Sequence, residues 1–177
     1  TEDDANVTIA LANVFNDPDD ANESITKTAV SSDTSLVTVS VSGNTLTLDF
    51  QADQNGLATI TVTATSGGQT VDDVFTVTVS PVDDPPVVVN LLPDVNASED
   101  DPDLLVDLSN VFNDVDDANA SITKTAVSSD VSLITVAVSG NTLTLDYQPD
   151  QAGTATITVT ATSNGQTVDD AFVVTVS

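Results

Sequence analysis

The chain has 177 residues, with 28 acidic side chains against two lysines, no histidine and no cysteine, and a formal charge of −26 at pH 7. Such a surface repels nucleic acid and anionic membranes at long range, and the missing Cys and His remove disulfides, thiolate chemistry, the usual zinc ligands and the commonest general base. With 40% hydrophobic residues the chain can still bury a core, no apolar run approaches the ~20 residues needed to span a bilayer, and cations are its natural partners.

Glu2, Glu23 and Glu99 are the only glutamates, so 25 of the 28 acids are Asp, a side chain that favours loops and hard-cation ligation over helices. The opening TEDDANV, without Met, points to a piece cut from a longer chain. From Val14 the run VFNDPDDANESITKTAV returns at Val111 as VFNDVDDANASITKTAV, an offset of 97, and residues 1–80 match residues 98–177 at 60 of 80 positions. The chain therefore reads as repeat 1 over 1–80, a linker over 81–86 and repeat 2 over 87–177.

Within repeat 1, Leu46, Leu48 and Phe50 alternate with Thr45, Thr47 and Asp49, and Ala58 to Ala64 alternate with Thr59 to Thr65. A period of two is the half-buried strand pattern, and Val (28) and Thr (27) dominate the composition. Ser42-Gly43-Asn44, Gln54-Asn55-Gly56 and Ser66-Gly67-Gly68 separate these runs as turns. After the linker, VVVNLL opens repeat 2 with a strand that repeat 1 lacks, so repeat 1 is expected to begin just past it. Strands of repeat 2 are expected over 87–96, 104–112, 121–128, 133–138, 142–147, 154–162 and 171–177. No segment carries a helical period. The fold class is all-β: two tandem antiparallel seven-stranded Greek-key β-sandwiches of the immunoglobulin-like type, the first lacking its first strand. Phe112, Tyr147 and Phe172, with Phe15, Phe50 and Phe75, occupy inward positions and are expected in the core.

Stacking two such repeats end to end would gather three acidic clusters: Glu2, Asp3 and Asp4; Asp83 and Asp84 of the linker; and Asp114, Asp116 and Asp117. Each close carboxylate pair repels by roughly 1 kcal/mol at 4 Å even in water. Divalent cations taking several oxygen ligands resolve this, and Ca²⁺ suits mixed, flexible oxygen geometry better than Mg²⁺.

The linker PVDDPPVV, the stretch Asn113-Asp114-Val115-Asp116-Asp117 leading into Ser121-Ile122-Thr123, and the turn Ala97-Ser98-Glu99-Asp100 resemble the cadherin-like repeats of bacterial surface adhesins and of some secreted polysaccharide-degrading proteins. The resemblance runs through the chain twice. It implies calcium held between successive domains by Glu2, Asp83, Asp84, Asp114 and Asp116, an extracellular or cell-surface location, and contacts with neighbouring repeats. Two departures stand out. Ser66 and Ser163 occupy a loop position where the family often has Asp, leaving Asp72-Asp73 or Asp169-Asp170 as replacements, and Asp53 and Asp150 are all that remains of the acidic pattern in LDFQADQ and LDYQPDQ.

Other motifs fail. An EF-hand beginning at Asp114 would need ligands at Ala118 and Thr125. A glycosidase needs a cleft and sugar platforms, and catalysis is not expected. The Thr ladder Thr59 to Thr65 reads as a solvated strand face, and Lys27 and Lys124 as local partners of the acids or as edge gatekeepers. Two function classes follow: a Ca²⁺-rigidified tandem repeat supporting adhesion or protein contact, homophilic contact included, and a carbohydrate-binding accessory module that takes polysaccharide.

Overall fold

The computed structural model describes every residue except Asn22 and Glu23. It divides into two compact units, Thr1–Val82 and Asp83–Ser177. Both are all-β, with no helix among the described residues.

Unit 1 contains β1 (Val7–Ala10), β2 (Thr26–Ser31), β3 (Val37–Ser42), β4 (Thr45–Phe50), β5 (Gly56–Ser66) and β6 (Gln69–Val79). They form two three-stranded sheets, β1-β4-β3 and β2-β5-β6. The period of two in the sequence becomes a sidedness: Ala58, Ile60, Val62 and Ala64 point into the core between the sheets, while the threonines between them stay more open. The β5–β6 hairpin turns at Gly67 and Gly68, with φ of 54° and 80°. Two successive positive φ angles match the right-handed twist of the flanking strands, which is why this turn takes glycine.

Unit 2 contains β7 (Val87–Val88), β8 (Val95–Ala97), β9 (Leu104–Asp107), β10 (Phe112–Asn113), β11 (Thr123–Ser128), β12 (Ile134–Ser139), β13 (Thr142–Tyr147), β14 (Gly153–Ser163) and β15 (Gln166–Val176). Its sheets are β11-β14-β15-β8, β12-β13-β9 and the small β10-β7. The core holds Phe112, Leu145, Ile157, Phe172 and Val174 among 16 buried side chains, and Val88, Leu92, Val95 and Ala97 pack against it from the leading segment. Among the described residues of unit 1 the corresponding cluster has 12 buried side chains. All six aromatics belong to these cores, although Phe50 and Phe75 of unit 1 are only half-buried.

Several sequence expectations need correction. The strand expected over 87–96 is two short pieces on different sheets: Val87–Val88 pairs with Phe112–Asn113, and Val95–Ala97 pairs with the end of β15. Pro93 supplies no N–H, and Asp94 accepts the Val173 N–H at 2.8 Å, so the chain steps between sheets there. The pairing of β8 with β15 is parallel, so the sandwich is not purely antiparallel. The strand expected over 104–112 breaks at Leu108–Val111, where Asp107 accepts from the Ser109 N–H and Oγ in a local turn. The last strand starts at Gln166 rather than 171, because its polar opening Gln166–Asp170 extends a long hairpin with β14. Unit 2 thus has nine strand segments rather than seven.

Candidate functional site

In unit 2 the expected acids gather at one end of the sandwich. The Asp114 side chain is 6% exposed. Its Oδ1 accepts the Asp116 N–H at 2.9 Å and the Asp117 N–H at 3.0 Å, an Asx turn that fixes the carboxylate plane. Its Oδ2 is buried without a hydrogen-bond partner. A buried carboxylate oxygen with no donor is costly unless a cation or water completes it.

Around it the acids are tied into a frame. Asp116 Oδ2 accepts the Asp84 N–H at 2.8 Å, which pins the leading segment to the 114–117 turn. Asp117 Oδ2 accepts from Ser163 Oγ at 2.7 Å and from Asn164 Nδ2 at 3.0 Å. Asp83 accepts from Asn164 Nδ2 at 2.7 Å and from Gln166 Nε2 at 3.1 Å. Those two amides hold the Asp83 carboxyl below the ordinary carboxylate range, Asn164 contributing most. The β14–β15 turn therefore serves as a clasp for the acidic loops through neutral donors. Asn164 sits at φ 44°, a left-handed conformation that Asn tolerates better than other non-glycine residues.

The sequence reading missed this clasp. The one available signal was that TATSGGQTVDD of repeat 1 becomes TATSNGQTVDD in repeat 2. The proposed replacement ligands do not join the cluster: Asp169 accepts from Thr160 Oγ1 at 2.6 Å on the sheet surface, and Asp170 is buried, accepting the Leu92 N–H at 2.8 Å. Lys124 does not face an acid either. Its Nζ donates to Asn141 Oδ1 at 2.9 Å, and burial pulls its ammonium below the ordinary range.

Unit 1 carries the matching loop in a more open form. Asp17 Oδ1 accepts the Asp19 N–H at 3.0 Å and Ser66 Oγ donates to Asp20 at 2.8 Å. The first of these contacts leads in holding the Asp17 carboxyl low. Asp17 is half-buried where Asp114 is buried. At the other end of unit 1, Glu2 is 2% exposed. Its Oε1 accepts the Val82 N–H at 2.8 Å, and its Oε2 is buried with no hydrogen-bond partner. Asp3 and Asp53 are exposed, with carboxylate oxygens within 4.8 Å of one another, while Asp4 accepts from the amino-terminal ammonium. Asp53 reaches this place from a turn at φ 57°.

Every donor in these two clusters is a hard oxygen, with amide and hydroxyl groups in support. Such a set suits a hard cation such as Ca²⁺ and lacks the imidazole and thiolate ligands that borderline and soft metals prefer. Glu2 and Asp114 each have one oxygen held by backbone N–H groups and one buried oxygen without a donor, which a cation could complete.

No protein-family model matches the chain, and no curated protein sequence does. Among solved structures, the first two extracellular domains of human protocadherin-24 superpose with a TM-score of 0.52 at 13% identity, over 92% of this chain and 85% of that one. Extracellular cadherin domains 1–5 of protocadherin gamma B2 give 0.50 at 17% identity, over 85% and 33%. An endo-fucoidan hydrolase of glycoside hydrolase family 107 gives 0.40 at 16% identity over 88% of this chain, which spans about a quarter of that protein's length, 24%. The fold is cadherin-like.

Proposed function

We propose that this cadherin-like pair is a calcium-binding tandem repeat of an extracellular protein. In this reading Glu2 and Asp3 of unit 1, and Asp83, Asp84, Asp114, Asp116 and Asp117 of unit 2, supply the ligands. Bound Ca²⁺ would neutralise part of a net charge of −26 and stiffen the chain between successive repeats. Stiffened repeats suit a stalk or an adhesive contact, without catalysis. The observation that carries the reading is the pair of buried carboxylate oxygens, Asp114 Oδ2 and Glu2 Oε2, that have no hydrogen-bond donor.

The ligands would be set before the ion arrives. The Asx turn aims Asp114, the Asp84 N–H orients Asp116, and Asn164 holds Asp83 and Asp117 in place. Little ordering is then left to oppose binding.

Calorimetric titration with Ca²⁺, paired with small-angle scattering in Ca²⁺ and in EDTA, tests this. Saturable binding with a change in the scattering curve is expected. An absence of binding heat, or identical curves, would overturn it, as would glycan binding that persists in EDTA with no response to Ca²⁺.

A further inference from the structure

Of the 13 asparagines in the chain, four, Asn6, Asn22, Asn96 and Asn119, have Ser or Thr two residues later with no Pro between, the acceptor pattern for N-linked oligosaccharide. Each of the four also has Asp two residues before it: Asp4, Asp20, Asp94 and Asp117. Of the nine others only Asn55 does. In an extended segment positions two apart share a face, so an enzyme cleft would meet carboxylate, amide and hydroxyl in one row. Hydrogen bonding separates these asparagines from the rest. Outside the pattern, Asn44 and Asn141 accept from Lys27 and Lys124, Asn90 donates to Asn110 O, and Asn164 donates to Asp83 and Asp117. Asn6, Asn96 and Asn119 are exposed, and among the described residues no hydrogen bond engages their side-chain amides. Asn22 lies outside the described residues.

We propose that Asn119 is an acceptor site for N-linked oligosaccharide. Of the three described stretches, only residues 117–121 lie wholly outside strands: Val7 and Thr8, which follow Asn6, pair with β4, and Asn96 sits inside β8 opposite Thr175. Asn119 and Ala120 are the central residues of a turn closed by the Ser121 N–H to Ala118 O at 2.8 Å. Drawing this segment straight into a cleft gives up that bond and the contacts of Asp117 with Ser163 and Asn164. In β8 the same act would strip the pairing with β15. In the transfer, Asn119 Nδ2 bonds to the anomeric carbon of a polyprenyl diphosphate-linked oligosaccharide. The bond from that carbon to the diphosphate oxygen breaks, its electron pair leaves on the polyprenyl diphosphate, and one Nδ2 proton passes to solvent. Ser121 Oγ, which donates to Ala118 O at 2.6 Å in the turn, and the Asp117 carboxylate are the handles for the transferase, the carboxylate for a cationic side chain. The proposal rests on the extracellular reading, because such a donor is met on the way out of the cell, and is independent of calcium.

The test incubates the purified, folded chain with a bacterial oligosaccharyltransferase and a polyprenyl diphosphate-linked oligosaccharide, and reads site occupancy by glycopeptide mass spectrometry. Asn119 should be occupied roughly tenfold more than Asn96, whose strand must open before it can react. Free peptides of residues 115–123 and 92–100, which carry DANAS and DVNAS, should be accepted within about twofold of each other, so that the difference in the folded chain comes from the fold. Ser121→Ala should abolish addition at Asn119 and leave Asn6 as it was. Asp117→Ala should lower addition roughly tenfold in the folded chain and in the 115–123 peptide alike, the peptide removing any effect of the substitution on folding. An unmodified Asn119 in the folded chain, addition that survives Ser121→Ala, indifference of the peptide to Asp117→Ala, or equal occupancy of Asn96 would overturn the proposal. A chain that takes the sugar at Asn119 yet gives no heat with Ca²⁺ would keep this site and lose the calcium reading.

Discussion

Strands β6 and β15 share nine of eleven residues, yet they live in different surroundings. Phe172 and Val174 are buried, whereas Phe75 and Val77 are half-buried, and Asp170 is inside where Asp73 is outside. Sequence fixed the strand and its inward face, while the neighbour across the edge decided how deep that face lies. The two units thus form an internal experiment in which local chemistry is held constant and tertiary cover is varied.

The largest expected effect is in the core. Phe172→Ala should destabilise unit 2 by about 4 kcal/mol, since a buried aromatic loses both transfer energy and packing. Phe75→Ala, starting from a partly solvated ring, should cost unit 1 roughly half as much. Urea unfolding monitored by residue-resolved NMR would give each unit its own midpoint. Equal losses would mean that the cover from residues 87–97 adds nothing to the core. The same experiment on the parent chain should show unit 1 unfolding first, because the buried cluster among its described residues has 12 side chains against 16 in unit 2.

Next comes the acid inside that strand. Asp170→Ala removes the acceptor of the Leu92 N–H and should cost about 2 kcal/mol. Asp73→Ala, at an exposed position, should fall within about 0.5 kcal/mol of zero. If the two substitutions prove equally harmless, the leading segment is held by its apolar contacts alone.

Calcium sharpens the comparison in a third way. Asp114 and Asp17 begin nearly identical loops, but only the former has Asp83 and Asp84 of the same unit tied beside it through Asn164 and Asp116. Asp114→Asn should weaken the tightest calcium site at least tenfold, about 1.4 kcal/mol, whereas Asp17→Asn should leave that site unchanged. Titration calorimetry on both variants decides between a site built by gathered loops and one intrinsic to each loop. Equal losses would favour the second.

Much of this fold was legible in the chain because period-two patterning and a long internal repeat are local signals. What could not be read was which edge each strand would meet. The split of 87–96 into β7 and β8, and the parallel run of β8 along β15, depend on contacts with residues about 80 positions away. Likewise the acids of the candidate site could be picked out by type and clustering, but the clasp could not. Its leading donor to Asp83, Asn164, is the one Gly-to-Asn difference between the repeats in this turn, and an Asn in a turn reads first as a turn residue. The burial of Asp114 and Glu2 was equally hidden, since nothing in an acidic run says which member will be turned inward.

The smallest effect isolates that clasp. Amide donors from Asn164 and Gln166 hold the Asp83 carboxyl below its ordinary value of 3.8. A carboxylate whose folded value is depressed strengthens its contacts above the unfolded value and loses them as pH falls through the folded one. The clasp should therefore be closed at about pH 5 and should open only below 3.8, as pH falls through the depressed Asp83 midpoint. Asp83 is exposed, so this opening should move side-chain amide resonances of Asn164 and Gln166 without unfolding the unit. Asp33 and Asp130 provide the control. Each is held low chiefly by its serine hydroxyl, Ser35 or Ser132, in the same turn of its own unit, so the two should titrate alike. Asn164→Gly, which gives unit 2 the residue that unit 1 has at 67, removes the larger donor and should raise the Asp83 midpoint toward the ordinary value while leaving Asp130 where it was. NMR titration in EDTA reads both carboxyls in one sample. A midpoint for Asp83 that ignores the Asn164 substitution would show that the clasp is not what holds this acid, and would leave the one-residue difference between the two turns without a structural consequence.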